Sequence, residues 1–453
     1  MTEKILSQQK KLFSADILIF FVLFSFLLLR IIFFSPVFSD ETIYINMAKA
    51  LREGLLPYRD FFYAHPPVQL LLLAPIAFTN SFIVVKIFIS IVGVVCIIFT
   101  YLIAKELFGE KPALMTSLAF LFFPGFLIFG NLAMGTFETL LFFLPAFYFL
   151  LHKKTFLSNV FLTLAIFTRY LTILLFPLLI VYIIKYQRKE LHRFLSFFIL
   201  MNLLVFLFLY ISFRFKFINF TLLYHFQTNI RVASQPPNLI WQYLSLGFFS
   251  ASISLITLIH SQFEKNYKLF LFSLYPLIYD SSVLLILKQV TYHYFAFVLP
   301  FIFIAFGEVV VKSKFCVVKL SLFLILLLSI LTNLHSLSFY FDKNKNLVLK
   351  ELLEYTFRFT EKDDLIFGSA IPTNYLSFVA NRKIVGNYFD SDLKHINFEG
   401  KEKVINEVRT AKPKLIIADK AHEDFYRFFY EDYEIVKEWE NPGYYHLVLM
   451  KKK

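Results

Sequence analysis

Apolar runs of about twenty residues, broken by short polar and basic stretches, fill most of the first 340 positions. Runs of that length cross a bilayer as helices, because a backbone in lipid must satisfy its own hydrogen bonds. The pattern predicts spans near 14–34, 81–104, 112–130, 138–151, 156–168, 171–184, 194–213, 239–260, 269–287, 292–311 and 315–335. The stretch 156–184 reads either as a tight pair of short helices or as one long tilted helix. Between the first two runs lies a loop, 35–80, with a pattern of its own. Ser39 is a fair N-cap, Asp40, Tyr44, Met47 and Leu51 recur at helical spacing, and Gly54 stops the helix. The apolar stretch from Pro66 to Phe78 is too short to span and reads as an interfacial or re-entrant helix.

From about 340 the pattern changes. Helix-like 346–359, 400–411 and 422–432 alternate with strand-like 365–367, 414–418 and 434–439, and 445–450 closes the chain. Alternation of this kind predicts a small α/β domain. The expected organisation is therefore a membrane domain over 1–338, with 35–80 as its first loop, and an α/β domain over 339–453. The fold class is an α-helical polytopic membrane protein of about eleven spans with a small C-terminal α/β domain. No internal repeat, Gly-rich phosphate loop or Walker sequence is present.

Composition sharpens this. Of 453 residues, 58% are hydrophobic and 62 are Phe, which excludes a soluble domain of this size. The net charge of +13 raises nucleic acid as a partner, but the basic residues sit in short loops between spans. That is the positive-inside pattern, and no nucleic-acid partner is expected. Cys96 and Cys316 lie in apolar runs and read as small hydrophobes. The first run lacks a small-residue cleavage site, which predicts a retained anchor.

Charge also orients the chain in the cell membrane. Lys4, Lys10 and Lys11 place the N-terminus in the cytoplasm. With eleven spans the basic loops at Lys105/Lys111, Lys153/Lys154, Lys185 to Arg193, Lys265/Lys268 and Lys312/Lys314 fall on that same side. The first loop and the tail then face outward. An even number of spans would return the tail to the cytoplasm.

On the outer face this topology gathers Asp40, Glu41, His65, Glu138, His225, Arg231 and His293. Each has a plain reading. Asp40, Glu41 and Glu138 suit a helix N-terminus, where acids complement the dipole by roughly 0.3–1 kcal/mol. His65-Pro66-Pro67 suits a rigid turn, since Pro favours a first helical turn. Arg169, in Thr168-Arg169-Tyr170, suits an interface, where arginine snorkels, or a lipid phosphate, which it binds well. His225, Gln227 and Arg231 are polar loop residues before Pro236-Pro237, and Lys288 with Tyr292-His293-Tyr294 opens the tenth span as an aromatic belt would. Three carboxylates meeting at one membrane face also suit a general base or a cation site. Carboxylate, basic groups and an apolar groove together suit a lipid-phosphate substrate.

These residues resemble the GT-C superfamily of polyprenyl-phosphate-sugar-dependent glycosyltransferases. The chain looks most like relatives of protein O-mannosyltransferases and of lipid A aminoarabinose transferase. The resemblance covers roughly 14–311 and is strongest in Asp40-Glu41-Thr42-Ile43-Tyr44, Gly54-Leu55-Leu56-Pro57-Tyr58 and His65-Pro66-Pro67. It implies Asp40 as the base, with Glu41 supporting it. Glu138 stands where the family carries a second acid, usually Asp. Arg169 stands where relatives carry Lys or Arg. By the same resemblance Tyr44, Tyr58, His65, Arg169, His225, Arg231, Lys288, Tyr292 and His293 are substrate-binding candidates. The implied partners are a polyprenyl- or dolichyl-phosphate sugar donor, membrane lipids, and a protein, lipid or glycan acceptor whose hydroxyl displaces the phosphate with inversion. No cofactor is required, because the leaving group is already a phosphate. Three acids leave room for a divalent metal. The rival class is a transporter or flippase of lipid-linked sugars, which usually places charge near the bilayer midplane and shows repeated halves.

Overall fold

The computed structural model describes residues 39–227, 237–286, 292–340, 343–441 and 445–453. The first predicted span, 14–34, lies outside them. The chain forms two compact units.

One unit draws its described residues from 86–131 and 245–337. It holds most of the helix Phe82–Phe108, then Glu110–Leu121, Pro124–Phe129, most of Pro237–Phe263, Tyr267–Ile286, Leu299–Lys312 and most of Cys316–Tyr340. The run expected at 112–130 breaks at Phe122-Phe123, because a residue before Pro124 is pushed out of the helical region. The run expected at 292–311 opens as a tight turn, Tyr292–Val298, before the α-helix begins at Leu299. Close backbone approach sets one helix pair. A Cβ on Gly307 would lie 2.3 Å from Thr116 Oγ1 and 2.5 Å from the Pro112 carbonyl oxygen. Thr116 Oγ1 in turn donates to the Phe303 carbonyl at 3.0 Å. Small residues and hydroxyls of this kind join helices where lipid offers no hydrophobic drive.

The other unit joins the first loop, residues 132–244 and the tail. Its first helix, α1 (Glu41–Arg52), follows Asp40 directly. Ser39, the expected cap, does not cap it: the Ser39 hydroxyl has no hydrogen-bond partner among the described residues, and its carbonyl accepts from Thr42 N–H at 3.2 Å instead. Asp40 makes no side-chain capping bond either. The helix ends as expected at Gly54, whose φ of +94° lets Leu55 N–H return to the Ala50 carbonyl at 3.0 Å. Helix α2 (Val68–Ala77) has ten residues, too few to cross a bilayer. Then come α3 (Thr136–Leu151), α4 (Thr155–Ile166), α5 (Phe176–Tyr186) and α6 (Leu191–Phe213). Over 156–184 the chain takes the first of its two readings, since a short 3₁₀ turn, Tyr170–Leu175, separates α4 from α5.

The tail runs α7 (Lys343–Phe359), β1 (Leu365–Gly368), α8 (Ala370–Ala380), β2 (Lys383–Ile384), α9 (Leu393–Glu399), α10 (Lys401–Ala411), β3 (Leu415–Asp419), β4 (Tyr433–Asn441) and β5 (Tyr445–Lys452). The sheet order is β2-β1-β3-β5-β4, parallel from β2 to β3 and antiparallel from β3 to β4. Every residue of β3 is buried, as a central strand requires. Helices α8 and α9 are not among the predicted elements. Asn374 and Ser377 interrupt the apolar pattern of α8 because that face meets α1. Asn46 Nδ2 donates to Asn374 Oδ1 at 2.9 Å and to Ser377 Oγ at 3.0 Å, and Thr42 Oγ1 donates to the Ile371 carbonyl at 3.0 Å.

Four helical stretches among the described residues are long and apolar enough to cross a membrane: Phe82–Phe108, Arg188–Phe213, Tyr267–Leu285 and His293–Lys312. The other apolar helices, α2 to α5 among them, have shorter described stretches.

Candidate active site

The segment 132–135, just before α3, is the hub. Ala133 N–H donates to Glu41 Oε2 at 3.3 Å. The Ala133 carbonyl accepts from Gln69 Nε2 at 3.1 Å, and the same amide reaches Glu138 Oε1 at 3.2 Å. Gln69 Oε1 accepts from Tyr63 O–H at 3.2 Å. Glu41, Gln69 and Glu138 are fully buried, so these bonds replace water that the groups have lost.

Arg169 closes the hub from the turn after α4. Its Nη2 donates to the Met134 carbonyl at 2.7 Å. Gly135 makes the approach possible. At φ +85° it has no side chain, and a Cβ there would stand 2.0 Å from Arg169 Nε. The guanidinium lies over the Tyr44 ring, 4.9 Å from its centroid, a cation–π contact. Tyr44 sits one helical turn after Asp40, and its O–H meets His65 Nε2 at 3.2 Å.

His65 lies at the end of a loop that Tyr58 holds shut. Tyr58 is buried, with a φ of +66° that few side chains adopt. Its O–H donates to the His65 carbonyl at 2.6 Å, and its N–H to the Phe61 carbonyl at 2.9 Å. His225 stacks against His65, ring centroids 5.7 Å apart, and its Nε2–H donates to the Ala64 carbonyl at 2.9 Å.

Asp40 differs from the two glutamates. It is exposed where Glu41 and Glu138 are not. It also sits in a recess crowded by protein atoms, and that desolvation pushes its carboxyl up to about 6. Asp390 and then Asp392 add to the rise, and Arg169 opposes it. The exposed surface leaves Asp40 reachable, while the recess sets its proton affinity.

Asp40, Glu41, Tyr44, Tyr58, His65, Glu138, Arg169 and His225 thus all fall within one unit. Arg231 and Lys288 lie outside the described residues. Tyr292 and His293 belong to the other unit, where His293 is buried with its ring 4.4 Å from that of Tyr294. Sequence reasoning did not single out Gln69, Gly135, Asp390 or Asp392. Gln69 carried a signal, as the one amide in an otherwise apolar helix. So did Gly135, next to Thr136 at a helix start. Asp390 and Asp392 carried none beyond being polar residues of a tail.

No protein-family model matches the sequence, and no curated protein matches it. Solved structures do match. ArnT from Cupriavidus metallidurans bound to undecaprenyl phosphate aligns with a TM-score of 0.66 at 12% identity, over 96% of this chain and 98% of that one. Its apo state gives 0.66 at 10% identity, over 97% and 98%. This chain has the GT-C fold. The apo oligosaccharyltransferase of Archaeoglobus fulgidus, also of that fold, gives 0.50 at 11% identity, over 90% of this chain and 70% of that one. The ArnT match covers nearly all of both chains, so the fold they share takes in the tail as well as the helices.

Proposed function

We propose that the protein is a membrane glycosyltransferase that moves a sugar from a polyprenyl- or dolichyl-phosphate donor to an acceptor hydroxyl. The observation that carries this reading is Asp40: a reachable carboxylate with a raised proton affinity, beside a buried arginine, on a GT-C fold. One ArnT structure holds undecaprenyl phosphate, which supports a lipid phosphate as the donor's leaving group here.

In this reading the acceptor oxygen attacks the anomeric carbon and passes its proton to the Asp40 carboxylate. The bond from that carbon to the phosphate oxygen breaks, and its electron pair leaves with the lipid phosphate. Attack opposite the leaving group inverts the centre, with no covalent intermediate. Arg169 meets the charge that develops on the phosphate. In this reading His65 and His225 line the donor site, and Tyr44 and Tyr58 hold His65 in place through their hydroxyls. Arg231, Lys288, Tyr292 and His293 are assigned to the donor by resemblance alone. Glu41 and Glu138 act through the 132–135 segment, keeping Arg169 in place.

In this reading the chain has about eleven spans, a cytoplasmic N-terminus and an outward tail, and the reaction takes place on the extracytoplasmic face. The tail would be a domain of its own over 339–453. Among the described residues no three His, Cys, Asp or Glu side chains group as a metal site would need. One oligosaccharyltransferase structure is a complex with Zn and sulfate, so the assay is run with and without a chelator.

The test is transfer by the full protein in liposomes, given a panel of labelled polyprenyl-phosphate sugars and candidate acceptors, with Asp40→Asn alongside. Release of lipid phosphate by wild type alone supports the reading and names the sugar. Equal turnover by both removes Asp40 as base. Movement of labelled lipid-linked sugar across the bilayer without transfer makes the protein a transporter.

A further inference from the structure

We propose that the 387–395 turn of the tail is part of the reaction site, with Asp390 as a positioning residue for Asp40. This rests on the reading of Asp40 as the base.

The turn is fastened to the first loop on one side and to the tail's own sheet on the other. Asn387 Nδ2 donates to the Asp60 carbonyl at 3.3 Å. Phe389 meets Phe61 edge-on, centroids 5.3 Å apart, and His395 stacks on Phe62 at 4.0 Å. Towards the tail, Asn374 Nδ2 donates to the Phe389 carbonyl at 2.5 Å, and the Ser391 hydroxyl to the Gly368 carbonyl. His395 Nδ1 meets the carbonyl of Asp390 itself. Residues on both sides of Asp390 are therefore pinned. Helix α1, bound to α8 through Asn46 and Thr42, brings Asp40 to the same place. Lys394 continues the turn across Tyr224, its Nζ 4.5 Å from the ring centroid.

Among the described residues, the charged side chains that act on Asp40 include Arg169, from the turn after α4, and Asp390 and Asp392, both from the tail. Of the two aspartates Asp390 has the larger effect. Like charges held side by side oppose the folded state. A turn with a purely structural role gains nothing from a carboxylate whose charge opposes that of another. A base gains a higher proton affinity, so that it holds the acceptor's proton more firmly. The tail would thereby add to the rise that desolvation causes, and Arg169 would oppose it.

The test reads Asp40 directly in the full protein. A water-soluble carbodiimide labels protonated carboxyls, and peptide mass spectrometry gives the extent at Asp40 across pH. Labelling in the wild type is expected to fall as pH rises through about 6. In Asp390→Asn the negative neighbour is gone, so the fall is expected at lower pH, by roughly half a pH unit or more. Asp390→Glu should stay near wild type, and Asp392→Asn, on an exposed side chain, should move the same way and less. An unmoved midpoint in a folded Asp390→Asn protein overturns the inference. If Asp390→Asn does not fold, the Asp392→Asn shift decides in its place. The pH–rate profile of transfer, taken on the same variants, separates the two ideas. A labelling shift with an unmoved rate profile keeps the pairing and removes Asp40 as base.

Discussion

The guanidinium of Arg169 covers the ring of Tyr44 while its Nη2 holds the Met134 carbonyl at 2.7 Å. One planar group thus makes a face contact and an edge contact at once. A lysine has a single ammonium and cannot do both. Arg169→Lys is expected to keep the net charge yet lower kcat by about 10²-fold or more, the cost of losing one well-placed electrostatic group. Steady-state kinetics with varied donor, beside a thermal melt, would check this. Unchanged kcat would remove Arg169 from the phosphate.

Because Asp40 must be ionised to accept a proton, transfer should depend on pH in a definite sense. Desolvation by the surrounding protein atoms and the two tail aspartates raise its carboxyl to about 6. Below that value the group is protonated and idle, so kcat should rise about tenfold per pH unit there and level off above it. The effect on stability has the opposite sign. A carboxylate with a raised affinity in the fold favours the folded state at low pH and loses that contribution as pH rises. A rate that is flat from pH 4 to 8 would exclude Asp40.

Gly135→Ala would be felt in two ways. It puts a side chain at a φ of +85° and a Cβ 2.0 Å from Arg169 Nε. The backbone term alone is about 1–3 kcal/mol. The expected result is a lower melting temperature together with loss of transfer, because Arg169 has to move. Full activity would mean that Arg169 does not need its present seat.

Gln69→Leu isolates the hub from the chemistry. Gln69 touches the Ala133 carbonyl and Glu138, not Asp40, in its hydrogen bonds. Its loss leaves buried acceptors without their donor, at about 1–3 kcal/mol. Denaturation in detergent should show the drop. A variant as stable as wild type would mean that water or a rearrangement fills the gap.

The helices were the legible part. Thr136–Leu151 lies almost where 138–151 was expected, and Leu191–Phe213 where 194–213 was. Unbroken apolar runs leave little choice of period. The alternation of the tail likewise announced β1, β3, β4 and β5. Helical spacing placed Asp40 and Glu41 together, but not their fates. Both occupy the first turn, and only the packing of 132–135 decides that Glu41 turns inward and Asp40 stays open. The Asn46–Asn374 pair was out of reach for a different reason. Two small amides 328 residues apart leave no periodic trace. Asp390 was hidden in the same way, since its meaning depends on which loop it faces.

The bonds from α1 to the tail span 329, 328 and 331 residues of sequence. The loop that carries Asp40 leaves the ribosome hundreds of residues before its partners do. Contacts so far apart form late and slowly. During synthesis Asn46 and Thr42 wait, unmatched, while every intervening helix is inserted. The bonds between α1 and the tail therefore cannot form in a nascent chain, and any stop before residue 371 leaves α1 short of the carbonyl and amide that hold it.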